Sequence, residues 1–305
     1  MFWIKLALSL ALLALLGWML DWSAIGLQLG QANPWYVAGA CLLLLAGQVL
    51  SAVRWAWIAR GLGLQVRTQR KIQLYFLGMF LSLFLPSIIG GDIVRGYLLA
   101  RHRRDAGWPA AASVVLERLN GVFGLLLIVS ITICLVEVDA TWRLTWLVMA
   151  GLAWFGMLLH PWWWPMFCRF PVPERLSGWK RLPLEGTAFH RAWLLALPAS
   201  VIFQLMVVQA HVWLGQAAGL DLSWSAYAVL VCLVALASAL PLSLNGLGVR
   251  EAGYVGLAVY FGGQPEAAAS MAILWLFVLI VVALPGGIVL WRLGGLSGLR
   301  HPSHE

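Results

Sequence analysis

Charged residues are scarce in this 305-residue chain. They make up 10% of it, against about 25% in soluble globular proteins, while 62% is hydrophobic and the mean hydropathy is +0.87. That excludes a soluble domain. Polar sequence is scarce as well: the longest stretch, His160 to Arg191, runs to about 32 residues, short of the ~50 that an ordinary domain needs. Residues 1–305 therefore read as one integral membrane domain. Cysteine is sparse and unclustered (Cys41, Cys134, Cys168, Cys232, with no CxxC spacing), so neither a disulfide nor a metal site is expected. The chain lacks GxxxxGK[S/T], HExxH and GxSxG, and no nucleophile can be paired with a base. It does not read as an enzyme, an ATP-driven machine or a cofactor-binding protein.

What is present is a positive balance of +8. In a membrane protein such a balance marks sides rather than nucleic acid, because Lys and Arg collect in cytoplasmic loops. Runs of about 20 apolar residues mark spans, and they fall at 3–20, 34–53, 110–136, 142–160, 192–215 and 266–291. No small-x-small cleavage site follows Met19, so the first run reads as a retained helix rather than a signal peptide. Two more apolar regions, 72–100 and 225–262, are interrupted by Pro86-Ser87-Ile88-Ile89-Gly90-Gly91-Asp92 and by Pro241-Leu242-Ser243-Leu244-Asn245-Gly246-Leu247-Gly248. Proline and glycine end helices there.

Cations flank the first broken region on both sides (Arg67, Arg70, Lys71; Arg101, Arg103, Arg104), so it should enter and leave from the cytoplasm as a re-entrant hairpin. The second is flanked by Asp221 and Glu266 and should dip from the opposite side. The expected architecture is an all-α polytopic membrane protein. It has about six full transmembrane helices plus two opposed re-entrant hairpins, sits in a bacterial-type cytoplasmic (inner) membrane and keeps both termini cytoplasmic. Of the twenty cations, Arg95, Arg118 and Arg250 then lie in the membrane, Arg143 outside and sixteen in the cytoplasm. Eight ordinary spans, the alternative, cannot keep all these clusters inside.

The two breaks repeat one another. Setting Leu85-Pro86 on Leu240-Pro241 puts Gly91 on Gly246, Val94 on Val249 and Arg95 on Arg250 without a gap; Ala110–Ser113 matches Ala267–Ser270 two residues out of phase. Hairpins dipping from opposite faces would make this an inverted repeat, the plan of many secondary transporters, whose broken helices build the site near the midplane. Lipid cannot satisfy the backbone groups that a break frees, so Pro86, Gly90, Gly91, Pro241, Asn245, Gly246 and Gly248 point to a polar interior.

Six ionisable residues fall in these segments, each costing about 2.5–3.5 kcal/mol at a helix centre, so they must pair or face water. Asp92 and Arg95 are spaced to pair within one helix, and Asp92 could equally cap it. Glu117 and Arg118 could bridge to a hairpin. Arg250 and Glu251 are adjacent and are expected to diverge and find partners elsewhere. Arg95, Arg118 and Arg250 together suggest a phosphate-holding pocket, because guanidinium forks match phosphate. Asp92, Glu117 and Glu251 would balance it or carry coupling protons. Gln204 and His211 share a face and either line a cavity or hydrogen-bond between helices. The loop 161–191, with Trp162, Trp163, Trp164 and Trp179 among Arg169, Arg175, Lys180 and Arg181, lies on the anionic inner leaflet or against the protein.

The segment Phe80 to Arg95, then Val114-Val115-Leu116-Glu117-Arg118-Leu119, and Leu240-Pro241 through Gly246-Leu247-Gly248-Val249-Arg250-Glu251 resemble the lysylphosphatidylglycerol synthase transmembrane-region family of flippase-like integral membrane proteins. The likeness in order and spacing spans most of the chain. Asn245 stands where such motifs often have glycine. The resemblance implies lipid translocation, and the aminoacyl-transferase half of bifunctional members is missing here, which argues against synthase activity and against carrying over the aminoacyl lipid as substrate. The expected function is movement, not driven by ATP, of a phospholipid or other lipid with an anionic or zwitterionic headgroup between leaflets. Membrane lipids are the expected partners, and nucleic acid is not. A non-transporting lipid-binding or scaffold partner of an envelope-lipid biosynthetic complex is the alternative, and association with lipid-biosynthetic enzymes or with a second copy stays open.

Overall fold

The computed structural model describes residues 2–84, 90–101, 106–171, 178–180, 182–239 and 246–295. Among them every regular element is helical. In chain order these are α1 Phe2–Met19, α2 Trp22–Gln31, α3 Pro34–Gly61, α4 Thr68–Ser82, α5 Gly90–Ala100, α6 Gly107–Thr132, α7 Ala140–Leu158, α8 His160–Arg169, α9 Thr187–Ala218, α10 Trp224–Ala239, α11 Val249–Tyr260 and α12 Pro265–Arg292. Four of the described helices, α3, α6, α9 and α12, are long and apolar enough to cross a membrane, or five spans if the bent pair α1–α2 counts as one. The protein is an all-helical, multi-pass membrane protein. Outward-facing Val148, Leu152 and Phe155 on α7 and Ile280, Leu284 and Ile288 on α12 form the apolar exterior that a lipid solvent selects and water would penalise.

α3 starts where Asn33 accepts the Trp35 N–H at 3.0 Å and Pro34 occupies the first turn, a position where its missing N–H costs nothing. The expected end at residue 53 is too early. The helix continues through Arg54, Trp55 and Arg60 and stops only at Gly63, whose φ of 82° lets the Leu64 N–H return to the Ala59 carbonyl in a left-handed cap. The hydropathy run ended at a charge, but nothing there breaks a helix. α2 and α8 were not anticipated. α2 is nucleated by Asp21, which accepts from the Ser23 and Ala24 N–H groups, and it leaves α1 at 87°.

α3 and α9 form the centre. They run antiparallel at close range: Gly39 lies against Trp213, Gly47 against Phe203, and Gly61 against Phe189 and Ala192. Around them α6 packs on α9 and α10, while α12 packs on α3 and α4. α4 and α5 fold back on each other across the first break, and α10 and α11 do so across the second, where Gly253 meets Val234 and Gly246 meets Ser238. The arms have 15, 11, 16 and 12 residues, so the longest reaches about 24 Å at 1.5 Å per residue. That is less than the ~30 Å hydrocarbon core. Pro86, Pro241 and Asn245 lie outside the described residues; Gly90 and Gly91 open α5, and Gly246 and Gly248 precede α11.

The largest core joins α3, α6, α9, α10, α11 and α12 through residues such as Leu44, Leu125, Val208, Leu230, Val255 and Met271. A second core, with Trp55, Leu74, Leu77, Leu98 and Val114, ties the first hairpin to α3 and α6. In the α7–α9 connection Trp164 and Trp179 pack on the protein, while Trp162, Trp163, Met166 and Phe170 point outward. His160, stacked on Trp164, is held below the ordinary imidazole value by burial and by His190 beside it.

Candidate functional site

Close backbone approach places the first hairpin. A Cβ on Gly91 would overlap the Gly78 carbonyl oxygen and Ser82 Oγ, so glycine lets α5 lie directly on α4. Asp92 and Arg95 then project from α5 toward α6.

There they meet Glu117 and Arg118 in one continuous ladder of charges. Arg54 of α3 pairs with Glu117 Oε1, Glu117 Oε2 receives Arg95 Nη2 at 2.7 Å, Arg95 Nη2 reaches Asp92 Oδ1 at 3.1 Å, and Asp92 Oδ2 accepts from Arg118 Nη2 at 2.7 Å and Nε at 2.8 Å. Signs alternate along it, three guanidiniums to two carboxylates. Exposure rises from one end to the other: the side chains of Arg54, Glu117 and Arg95 are 3–4% exposed, that of Asp92 13%, and that of Arg118 55%. The ladder is buried at one end and open at the other, and each carboxylate has two cationic partners.

Polar and aromatic groups surround the buried end. Ser51 Oγ donates to Glu117 and accepts from Tyr75 and Arg54. Arg54 Nη1 donates to Ser200 Oγ at 2.7 Å, and Ser200 in turn donates to Asn120 Oδ1. The Arg95 guanidinium lies over both the Trp55 and Tyr75 rings, at 4.9 and 4.8 Å, two cation–π contacts. Nε of both Arg54 and Arg95 is buried with no hydrogen-bond partner.

The second hairpin differs. Arg250 and Glu251 do not diverge as expected: Glu251 Oε1 accepts from Arg250 Nη2 at 2.7 Å and Nε at 3.0 Å. The cause is the helix start, where Glu251 Oε2 turns back to accept the Gly248 N–H at 2.8 Å and brings the carboxylate round to its neighbour. Arg250 is thus engaged within its own turn, while Arg95 and Arg118 share Asp92. Gln204 is buried near Gly121, on the ladder side of α9. His211 is wholly buried two turns on; its Nδ1–H donates to the Val207 carbonyl, its Nε2 accepts the Tyr254 hydroxyl at 2.8 Å, and Trp275 covers its ring.

Sequence reasoning missed Arg54, Ser51, Tyr75, Asn120 and Ser200. Arg54 counts among the sixteen cations expected in the cytoplasm because the apolar run 34–53 ends before it. The signal that could have found it is the absence of any helix breaker before Gly61.

The chain is similar to known proteins. A family model described as "Lysylphosphatidylglycerol synthase TM region" matches residues 2–287. A "UPF0104 membrane protein" of Methanothermobacter thermautotrophicus is 22% identical over 276 residues, covering 80% of this chain and 81% of that protein.

Proposed function

The chain belongs to the lysylphosphatidylglycerol synthase transmembrane-region family, and from that premise we propose that it moves a lipid with an anionic or zwitterionic headgroup between leaflets, without ATP and without chemical change to the lipid. The observation that carries this reading is the ladder beside the first hairpin. Arg118, its half-exposed end, offers two donors to an arriving phosphate. Asp92 can give up Arg118 and remain paired with Arg95, so an anion can land without stranding a buried charge, the costly event in such networks. The polar path spares the headgroup a passage through hydrocarbon.

Packing supports an inverted repeat. α3, α4, α5 and α6 correspond in order and length to α9, α10, α11 and α12; α3 runs antiparallel to α9, and α6 meets α10 as α12 meets α4. On this reading α1 and α7 are the remaining spans, both hairpins are re-entrant, and both termini lie in the cytoplasm of a bacterial-type inner membrane.

The test is purified protein in vesicles with fluorescent phosphatidylglycerol, phosphatidylethanolamine and polyprenyl phosphate, each followed by quenching from outside. Protein-dependent movement of at least one of them is expected. If none moves while the folded protein co-purifies with lipid-biosynthetic enzymes, it is a non-transporting partner. A chemically altered lipid would make it an enzyme.

A further inference from the structure

The correspondence between the halves extends past the four helices paired above. α1 and α2 have 18 and 10 residues, α7 and α8 have 19 and 10, and each pair leads into a long central helix, α3 or α9. The matching units are thus six helices long, α1–α6 and α7–α12. α2 and α8 also take equivalent seats: α2 packs on α12, where Gln28 accepts from Ser270 Oγ at 2.8 Å, and Trp164 of α8 packs with Ala112 of α6. Ser270 and Ala112 belong to the two copies of the Ala-Ala-Ala-Ser run. α1 and α7 break the match. α1 lies across the second hairpin so closely that a Cβ on Gly248 would stand 2.9 Å from the Ser9 carbonyl oxygen and 3.1 Å from Leu12 Cβ. In the alignment of the two breaks Gly248 falls on Ile93 and Ala252 on Tyr97, and on α5 these two are bare, 64% and 61% exposed. α7, the counterpart of α1, leans instead on α6, where Trp154 meets Phe123 edge-on at 5.1 Å, and only Ala150 of its residues is buried. An element with so few buried contacts opens at low free energy.

We propose that Ile93 and Tyr97 form the docking face for α7: in a second state of the protein α7 swings round α6 onto α5, as α1 now sits on α11, and α1 leaves the second hairpin. The inference rests on the inverted repeat proposed above. In such transporters access alternates as one repeat moves against the other, so the arrangement of one half is the one its counterpart takes up in the opposite state. α5 and α7 both pack on α6, which leaves Val115, Arg118 and Leu119 exposed. Arg118 holds Asp92, the neighbour of Ile93. α7 docked there covers the open end of the ladder. The first hairpin closes while the second opens.

Paired cysteines in the full chain, without its native thiols and reconstituted in vesicles, test this. Ending α1 and α7 together puts Ser9 on Val148, which is exposed, as Ile93 is. A disulfide needs Cβ atoms about 4 Å apart, so it reads direct docking. Ile93→Cys with Val148→Cys should form one within the chain under mild oxidant. Ile93→Cys with Ile131→Cys, about 20 Å further along α6 than Arg118, should not. Closing the first pair should abolish headgroup movement, and reduction should restore it. The proposal is overturned by no disulfide beyond that of the control pair, by one that links two chains, or by one within the chain that leaves movement intact. If the disulfide forms but the wild type moves no lipid, the docking face is supported and the translocation reading falls.

Discussion

Glu117 is the residue on which the buried charges depend. It answers both Arg54 and Arg95, so Glu117→Gln leaves two guanidiniums short of countercharge and should cost about 3–5 kcal/mol, read as a fall in Tm of the detergent-purified protein. Arg118→Gln should cost less than about 1 kcal/mol, because an exposed partner is screened by solvent. Equal losses in the two variants would mean that the ladder is not graded in burial. At this scale the sequence was informative about types and poor about partners. Asp92, Arg95, Glu117 and Arg118 could be picked out because charge in an apolar segment is costly. The partnership of Arg54 with Glu117 spans 63 positions, and no local spacing rule reaches that far. Arg250 and Glu251 show the opposite error: a rule about directions on a regular helix fails in its first turn, where the side chain also serves the backbone.

At the scale of elements, the first hairpin rests on contacts that only hydrogen allows at Cα. Gly91 lies on Gly78, and Gly286 of α12 lies on the Phe76 carbonyl. Gly91→Ala and Gly286→Ala should each destabilise by about 1–3 kcal/mol through overpacking, with Gly91→Ala also displacing Asp92 from Arg118. Gly151→Ala, in open space, should be neutral in the same thermal assay; a loss as large as that of Gly91→Ala would contradict this packing. The four long apolar helices α3, α6, α9 and α12 were legible because hydropathy over about 20 residues is a strong signal. α2 and α8 were not, because ten residues of mixed polarity owe their helicity to a cap and to tertiary packing rather than to periodicity.

For the whole molecule, the proposed re-entrant hairpin puts both of its flanks on one side of the membrane. Single cysteines replacing Arg67 or Arg101, in a background without the native thiols, should be labelled by a membrane-impermeant reagent from the same side; labelling from opposite sides would make the hairpin a crossing. The proposed correspondence of α3–α6 with α9–α12 takes up the recurring Pro…Gly…Val-Arg frame that the sequence carries at the two breaks, but the antiparallel α3–α9 centre carries no common motif and had to be seen in three dimensions. The central claim is that a lipid headgroup passes by way of Arg118, and the most direct measurement compares wild type with Arg118→Gln in the vesicle translocation assay, at matched Tm. Wild type should move at least one panel lipid, and Arg118→Gln should slow that movement about tenfold or more, the loss of a charge-assisted contact. Undiminished movement by a stably folded Arg118→Gln would contradict it.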